Sequence, residues 1–176
     1  MTLPSLTVPV WTALAVAAVT LVAADKDFKA RKIPNALTFP SVLLGLAAHA
    51  LSGGLHGLAA SGEGALIAGA ILLPGWLMGW MGAGDVKLMA AVGAWLAWPL
   101  SLTATLLSLV AGGVFALLVA ARHKSLGRSL RGAANIGAWA VALPGRQGPP
   151  PMASDLRFPF AGAILAGSMI SLWVRF

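Results

Sequence analysis

The chain has 176 residues, of which 59% are hydrophobic and only 10% are charged, and its mean hydropathy is +0.86. This composition excludes an ordinary soluble globular protein and is typical of an integral membrane protein. The chain has no cysteine, which excludes disulfides, a cysteine nucleophile and a cysteine-ligated zinc or iron–sulfur site.

The formal net charge of +7 does not indicate nucleic acid as a partner. The basic residues fall between apolar runs, and no aromatic platform or nucleic-acid module accompanies them. Three scattered histidines do not form a metal-binding pattern. We therefore expect neither a metal nor another cofactor.

Uncharged or nearly uncharged runs long enough to span a bilayer recur along the chain. They are residues 3–24, 36–62, 64–84, 88–121 and 158–174. The fourth run has room for two helices, with a turn predicted at Trp95, Trp98 and Pro99. Glu63, flanked by small residues, is predicted to lie in an exposed turn between the second and third runs. The pattern predicts an all-α membrane bundle of about six transmembrane helices, forming one domain over residues 1–176.

The positions of the basic residues predict the orientation of this bundle. If the first connection is cytoplasmic, eleven of the twelve basic residues lie on the cytoplasmic side, and only Arg175 lies outside. Both termini are then on the non-cytoplasmic side. The short apolar segment 132–145 is expected to lie in the interface rather than to cross.

Two aspartates follow apolar runs at the same expected membrane face. Asp27 comes just after the first run, and Asp85 comes just after the third. An ionisable side chain at the edge of a membrane is a candidate functional group by default. Two neighbouring carboxyls can share a proton, so that one activates water and the other polarises a peptide carbonyl. Gly82 and Gly84 remove side-chain bulk beside Asp85, which would let a substrate backbone approach.

Structural interpretations of the same residues remain open at this point. Asp27 could be a solvated loop charge, and Asp85 could be a helix cap or a partner of Lys87. Lys87 itself could tune the acids or anchor the chain at the interface. Pro34 and Asn35 are expected to start the second helix.

The acids and their surroundings resemble a known family. Asp27 stands seven residues before Pro34, and residues 82–88 read Gly-Ala-Gly-Asp-Val-Lys-Leu. This combination is similar to the type IV prepilin peptidases, which are intramembrane aspartic proteases of the GxGD type. Residues 157–167, which include Pro159, are similar to the proline-aromatic segment that opens the last helix of that family.

The resemblance implies a site and a substrate. Asp27 and Asp85 would be catalytic, while Gly82, Gly84 and Pro159 would shape the site or bind the substrate, with no metal or cofactor. The substrate would be a prepilin whose short basic leader is cut at the cytoplasmic face of the bacterial inner membrane. The short chain looks most like the minimal peptidases of Flp (Tad) pili.

Other expectations concern partners and domains. Besides the prepilin, the expected partners are membrane lipids and the pilus-assembly machinery, with the oligomeric state left open. No cysteine-containing cytoplasmic region precedes the first span, so a methyltransferase domain is not expected.

Two alternatives from other classes compete with a protease. A small proton- or cation-coupled transporter would use the acids to bind cations, and a pilus-assembly subunit would use the loop from Arg122 to Arg157 for docking. Transport favours acids near the membrane midplane, whereas both aspartates are expected at one interface.

Overall fold

The computed structural model describes residues 9–122 and 160–173, and within these ranges all regular structure is helical. The helices are α1 (Val10–Ala30), α2 (Asn35–Leu77), α3 (Ala83–Leu96), α4 (Leu100–Arg122) and α5 (Ala161–Trp173). This confirms the predicted all-α class. The segment 132–145 lies outside the described residues.

The chain divides into two compact units. The first comprises residues 1–112 and 159–176, and it contains α1, α2, α3, most of α4 and α5. The second comprises residues 113–158, of which the structure describes only the last part of α4.

Helix α2 is a hairpin with a sharp reversal at Gly54. Gly54 has φ 59° and ψ −145°, a backbone conformation that glycine adopts without a steric penalty. Gly57 packs against the backbone carbonyl of His49. In a straight helix those two residues would be about 12 Å apart along the axis. Residues 35–53 and 55–77 are therefore two arms that fold back on each other, called here the first and second arms.

The position of this reversal corrects the prediction of a turn at Glu63. Glu63 is exposed, as expected, but it lies inside the second arm. The chain turns at Gly54 because a positive φ is easily adopted there, whereas the small residues beside Glu63 serve as packing surface. Two other predictions are confirmed: Pro34 immediately precedes α2, and the chain turns between Leu96 and Leu100, at Trp98 and Pro99. Trp95, also predicted to mark that turn, lies instead in the last turn of α3.

Helix α3 packs against both arms of α2. Gly45 of the first arm lies against Ala94, and Gly64 of the second arm packs backbone to backbone against Gly93. The Oγ of Ser61 donates a hydrogen bond to the carbonyl of Ala94 at 2.6 Å. Small residues let these backbones approach closely, and the hydroxyl adds a polar contact between the helices.

A polar and aromatic cluster extends the contact between the first arm and α3. The Nε2 of His49 donates to the carbonyl of Trp95 at 2.8 Å, and the indole Nε1 of Trp95 donates to the Oγ of Ser41 at 3.0 Å. Trp11 of α1 packs on both rings, with ring centroids 5.6 Å from His49 and 6.1 Å from Trp95. These contacts join α1, α2 and α3 at the end of α3 that is distant from Asp85.

Small residues are frequent in the interior, beside larger ones such as Leu88 and Met89, and many large apolar side chains are exposed. Many of the buried residues are alanine, serine or threonine, for example Ala23, Ala68, Ala94, Ser61 and Thr105. The exposed large residues include Leu43, Leu51, Leu55, Leu66 and Trp173. This arrangement suits helices that pack closely on one another and face lipid.

Two helices in the described part of the chain are long and apolar enough to cross a membrane. They are α2 (Asn35–Leu77) and the part of α4 from Leu100 to Val119. The shorter apolar helix α5 has 13 residues.

The contact between Gly64 and Gly93 generates a stability prediction. A methyl group at Gly64 would overlap the carbonyl oxygen of Gly93 and come within 3.0 Å of the Ala97 Cα. Both obstacles are backbone atoms, which cannot rotate away. We expect Gly64→Ala to lower the free energy of unfolding by about 1–3 kcal/mol, measured by thermal denaturation in detergent.

Gly62→Ala is the matched control. It lies in the same arm, and its added methyl would have only the Leu46 Cδ2 nearby, at 4.0 Å. This variant should be at least as stable as the wild type, because alanine is the better helix former. Equal stability of the two variants would contradict the close packing of α3 on the second arm.

Candidate active site

Asp27 lies on the buried face of α1, near its C-terminal end. The buried residues of this helix recur at helical spacing, and Asp27 continues the row with 8% of its surface exposed. Arg31 ends the helix in the left-handed conformation, with φ 49°. The interpretation of Asp27 as a solvated loop charge is therefore wrong. Asp25, also in α1, is the solvated charge of this segment: it is exposed and pairs with Lys29 at 2.7 Å.

Asp85 lies in the first turn of α3 and is 7% exposed. Its Oδ2 accepts a hydrogen bond from the backbone N–H of Gly82 at 3.0 Å, and its own N–H donates to the Gly82 carbonyl at 3.1 Å. These reciprocal bonds satisfy backbone groups that have no partner within the helix. The cap interpretation of Asp85 is confirmed, and the hydrogen bond from Gly82 uses the Oδ2 of its carboxylate.

Lys87 contacts α2. Its Nζ donates to the Oδ1 of Asn35 at 2.9 Å and lies 5.4 Å from the centroid of the Phe39 ring. These contacts join the start of α3 to the start of the first arm. The geometry gives Lys87 a role in holding the two helix ends together.

The two carboxyls belong to different helices but lie at the same end of the first unit. Helix α1 ends there, and α2, α3 and α5 all begin there, as the contacts of Asp27, Asn35 and Lys87 show. The carboxylate charge of Asp27 acts on Asp85 and raises its pKa. The structure therefore brings the two predicted acids within electrostatic range of each other.

Burial dominates the acidity of both groups, which lie outside the two helices that are apolar and long enough to span a membrane. Loss of hydration raises the pKa of Asp85 from 3.8 to about 6; the Gly82 hydrogen bond opposes this change, and the charge of Asp27 adds to it. Burial also raises the pKa of Asp27. The Ala161 hydrogen bond and the positive charge of Arg31 oppose that rise.

The two glycines beside Asp85 occupy crowded positions. A methyl group at Gly82 would lie 3.3 Å from the Asp85 Oδ2, and one at Gly84 would lie 3.1 Å from the Ile33 Cβ. The absence of side chains therefore lets the connection between α1 and α2 approach the start of α3. Pro159, the third predicted site-shaping residue, lies outside the described residues.

The sequence prediction missed one group at this site, the backbone N–H of Ala161. It donates to the Oδ2 of Asp27 at 3.3 Å from the first residue of α5. No side-chain pattern could have revealed this contact, because the donor is a main-chain atom. Within residues 9–122 and 160–173, no three histidine, aspartate or glutamate side chains come together as metal ligands would.

In the residues that the structure describes, the chain is all-helical, has two helices long and apolar enough to cross a membrane, and holds two buried, interacting carboxyl groups near the ends of separate helices. The model of the Type IV leader peptidase family matches residues 14–117, more than half of the chain and including both aspartates. The chain belongs to this family, and it is therefore a peptidase. No curated protein and no solved structure matches the chain.

The raised pKa of Asp85 generates a prediction about stability. The folded state holds the proton more tightly than the unfolded state, so above pH 6 the ionised group destabilises the fold, and the penalty is relieved as pH falls through 6 toward 3.8. We expect Asp85→Asn to be more stable than the wild type at pH 8, by at most about 3 kcal/mol. Thermal denaturation between pH 4 and 8 should show this advantage shrinking toward pH 4.

Asp25→Asn controls for a general loss of negative charge. Asp25 is exposed and its ion pair with Lys29 is at the surface, so this variant should follow the wild-type curve at each pH. A pH-independent difference between Asp85→Asn and the wild type would contradict the prediction.

Proposed function

We propose that the protein is an aspartic endopeptidase that removes the short basic leader from type IV prepilins of the Flp (Tad) kind. Cleavage takes place at the cytoplasmic face of the bacterial inner membrane. The observation that carries this proposal is the pair of buried, electrostatically coupled carboxyls, Asp27 and Asp85, on two different helices of a chain that belongs to a peptidase family.

In this proposal the two acids divide the work of peptide hydrolysis. An ionised carboxylate takes a proton from water, and a protonated carboxyl donates a hydrogen bond to the scissile carbonyl. Water attacks the carbonyl carbon, and the proton then passes to the leaving amine as the peptide bond breaks. The enzyme itself forms no covalent bond to the substrate. Because the two groups interact, the pair titrates as a unit.

The proposed substrate geometry follows from the position of the pair. Carbonyls inside a helix are already hydrogen-bonded, so attack is easiest at the extended junction between the leader and the apolar helix of the prepilin. Gly82 has no side chain to obstruct an extended strand beside Asp85, and Gly84 shapes the site by admitting Ile33. Docking of the prepilin helix against the bundle would bring the junction to the two carboxyls.

The proposed topology has six membrane passes and both termini on the non-cytoplasmic side. The hairpin at Gly54 supports it, because each arm of α2 can make one pass. The starts of α2, α3 and α5 at the end that holds the acids support a cytoplasmic site, since Lys29, Arg31 and Lys32 are at that end. We propose peptide hydrolysis as the activity of residues 1–176.

Asparagine substitution tests the pair directly. Asp27→Asn and Asp85→Asn keep side-chain size and polarity but remove the titratable proton, so each should lower prepilin cleavage at least about a hundredfold. The measurement is co-expression with a prepilin, followed by the N-terminal mass of the product, at equal membrane abundance of each enzyme variant.

Asp25→Asn is the matched control, two residues away on the same helix but exposed and paired with Lys29. It should cut at the wild-type rate. If Asp27→Asn or Asp85→Asn also cuts at that rate, the carboxyl pair is not the catalytic group.

A panel of precursors tests the proposed substrate class. We expect a Flp-like prepilin to be cut at least about tenfold more efficiently than a different type IV prepilin, and a secretory precursor with an ordinary signal peptide not to be cut. The comparison uses kcat/KM for each precursor in the same membranes. Equal efficiency toward both prepilins would reject the Flp preference while leaving the peptidase activity intact.

A further inference from the structure

We propose that the backbone N–H of Ala161 is a positioning group for Asp27, so that the start of α5 forms part of the catalytic machinery. This inference rests on the proposed function and extends it to a helix outside the matched family region, which ends at residue 117.

The surroundings of this hydrogen bond favour a negatively charged acceptor. Ala161 is the first residue of α5 and is fully buried, and its N–H donates to the Oδ2 of Asp27 at 3.3 Å. The N–H groups in the first turn of a helix have no acceptor within the helix. They point outward, and the helix dipole adds partial positive charge at that end. A carboxylate is therefore stabilised there in its ionised form.

The two acids are held in parallel ways. Each uses its Oδ2 to accept a hydrogen bond from a backbone N–H at the start of a helix: Gly82 at α3 for Asp85, and Ala161 at α5 for Asp27. The difference lies in the origin of the donor. Asp85 is held by its own helix, whereas the donor to Asp27 comes from 134 residues further along the chain. The orientation of Asp27 therefore depends on where α5 begins.

Other charges around Asp27 do not replace this donor. Arg31 directly follows the last residue of α1, and the side chain of Asp85 on α3 has a charge of the same sign as that of Asp27. The described residues of α5 carry no charged side chain. The stabilisation that α5 offers to Asp27 is thus a main-chain effect, which favours Asp27 as the carboxylate that takes the proton from water.

Close contacts with α4 and α1 hold α5 in register. Gly167 packs directly against Ser108 of α4, whose Oγ donates to the carbonyl of Ile164 at 3.5 Å. The ring of Phe160 fills the space beside Gly112. On the other side, a methyl group at Gly162 would lie 3.7 Å from the Phe28 ring, which follows Asp27 on α1.

Removing the donor atom tests the inference. Ala161→Pro deletes the N–H at a position where proline suits the start of a helix. Replacing the Ala161 residue with lactic acid, by nonsense suppression, exchanges the N–H for an oxygen without adding bulk. We expect each change to lower kcat by about tenfold to a hundredfold, with KM nearly unchanged.

The pH profile separates positioning from a merely structural effect. Without the donor, Asp27 is harder to ionise, so the ascending limb of the kcat/KM profile should move to higher pH. If Ala161→Pro does not fold, the lactic acid variant decides the result.

Adjacent glycines in α4 provide a second test. Gly112→Ala would push the Phe160 ring, which directly precedes Ala161, whereas a methyl at Gly113 would have no heavy atom within 4 Å. We expect Gly112→Ala to show the same upward pH shift with a loss of about threefold to tenfold, and Gly113→Ala to match the wild type. Identical profiles for these two variants would contradict the coupling between α5 and Asp27.

The outcomes distinguish this inference from the function on which it rests. If the lactic acid variant keeps the wild-type kcat and pH profile while Asp27→Asn is inactive, the positioning role is overturned and the peptidase proposal stands. If the wild type does not cut the prepilin, the proposed function itself fails. A lower kcat together with the upward pH shift supports the inference.

Discussion

The close approach of α3 to both arms of α2 is the constraint on which the first unit depends. Gly64 and Gly93 meet backbone to backbone, and Gly45 lies against Ala94, so these helices pack at a distance that larger side chains would prevent. Between nearly featureless apolar surfaces, such packing and a few buried hydrogen bonds supply the specificity. Because α3 is held along its length, Asp85 in its first turn has a defined position.

Burial of the two acids in this helix packing lowers the stability of the folded state. Burial raises the pKa of both carboxyls, and each group gains only partial compensation from a backbone N–H. A buried carboxyl with an incomplete set of partners is expected where chemistry needs a reactive group. The same burial that weakens the fold lets Asp85 keep its proton up to about pH 6, and the proposed mechanism requires one protonated carboxyl.

The fold also assembles the candidate site from distant parts of the chain. Asp27 comes from the end of α1, Asp85 from the start of α3, and the donor to Asp27 from α5. Lys87 joins α3 to the first arm through Asn35. Helix ends suit this task because they carry backbone donors without acceptors within the helix, and those donors can bind carboxylates.

Local composition determined several features of the protein. The apolar runs predicted an all-α membrane protein, Trp98 and Pro99 predicted the turn before α4, and the positions of Asp27 and Asp85 after apolar runs identified the candidate acids. Each of these depends on nearby residues: hydropathy, the conformational restriction of proline, or the free energy of placing a charge at a membrane edge. The family resemblance of residues 82–88 is also local.

Only the tertiary structure decided where α2 reverses and what holds Asp27. The small residues around Glu63 predicted a turn there. Packing of the second arm on α3 keeps Glu63 inside a helix and leaves the positive φ to Gly54. The Ala161 N–H had no sequence signal, because every residue except proline has the same donor. The packing of α5 against α4 and α1 decides which backbone N–H donates to the carboxylate of Asp27. Asp27 and its donor, Ala161, are 134 residues apart in the chain.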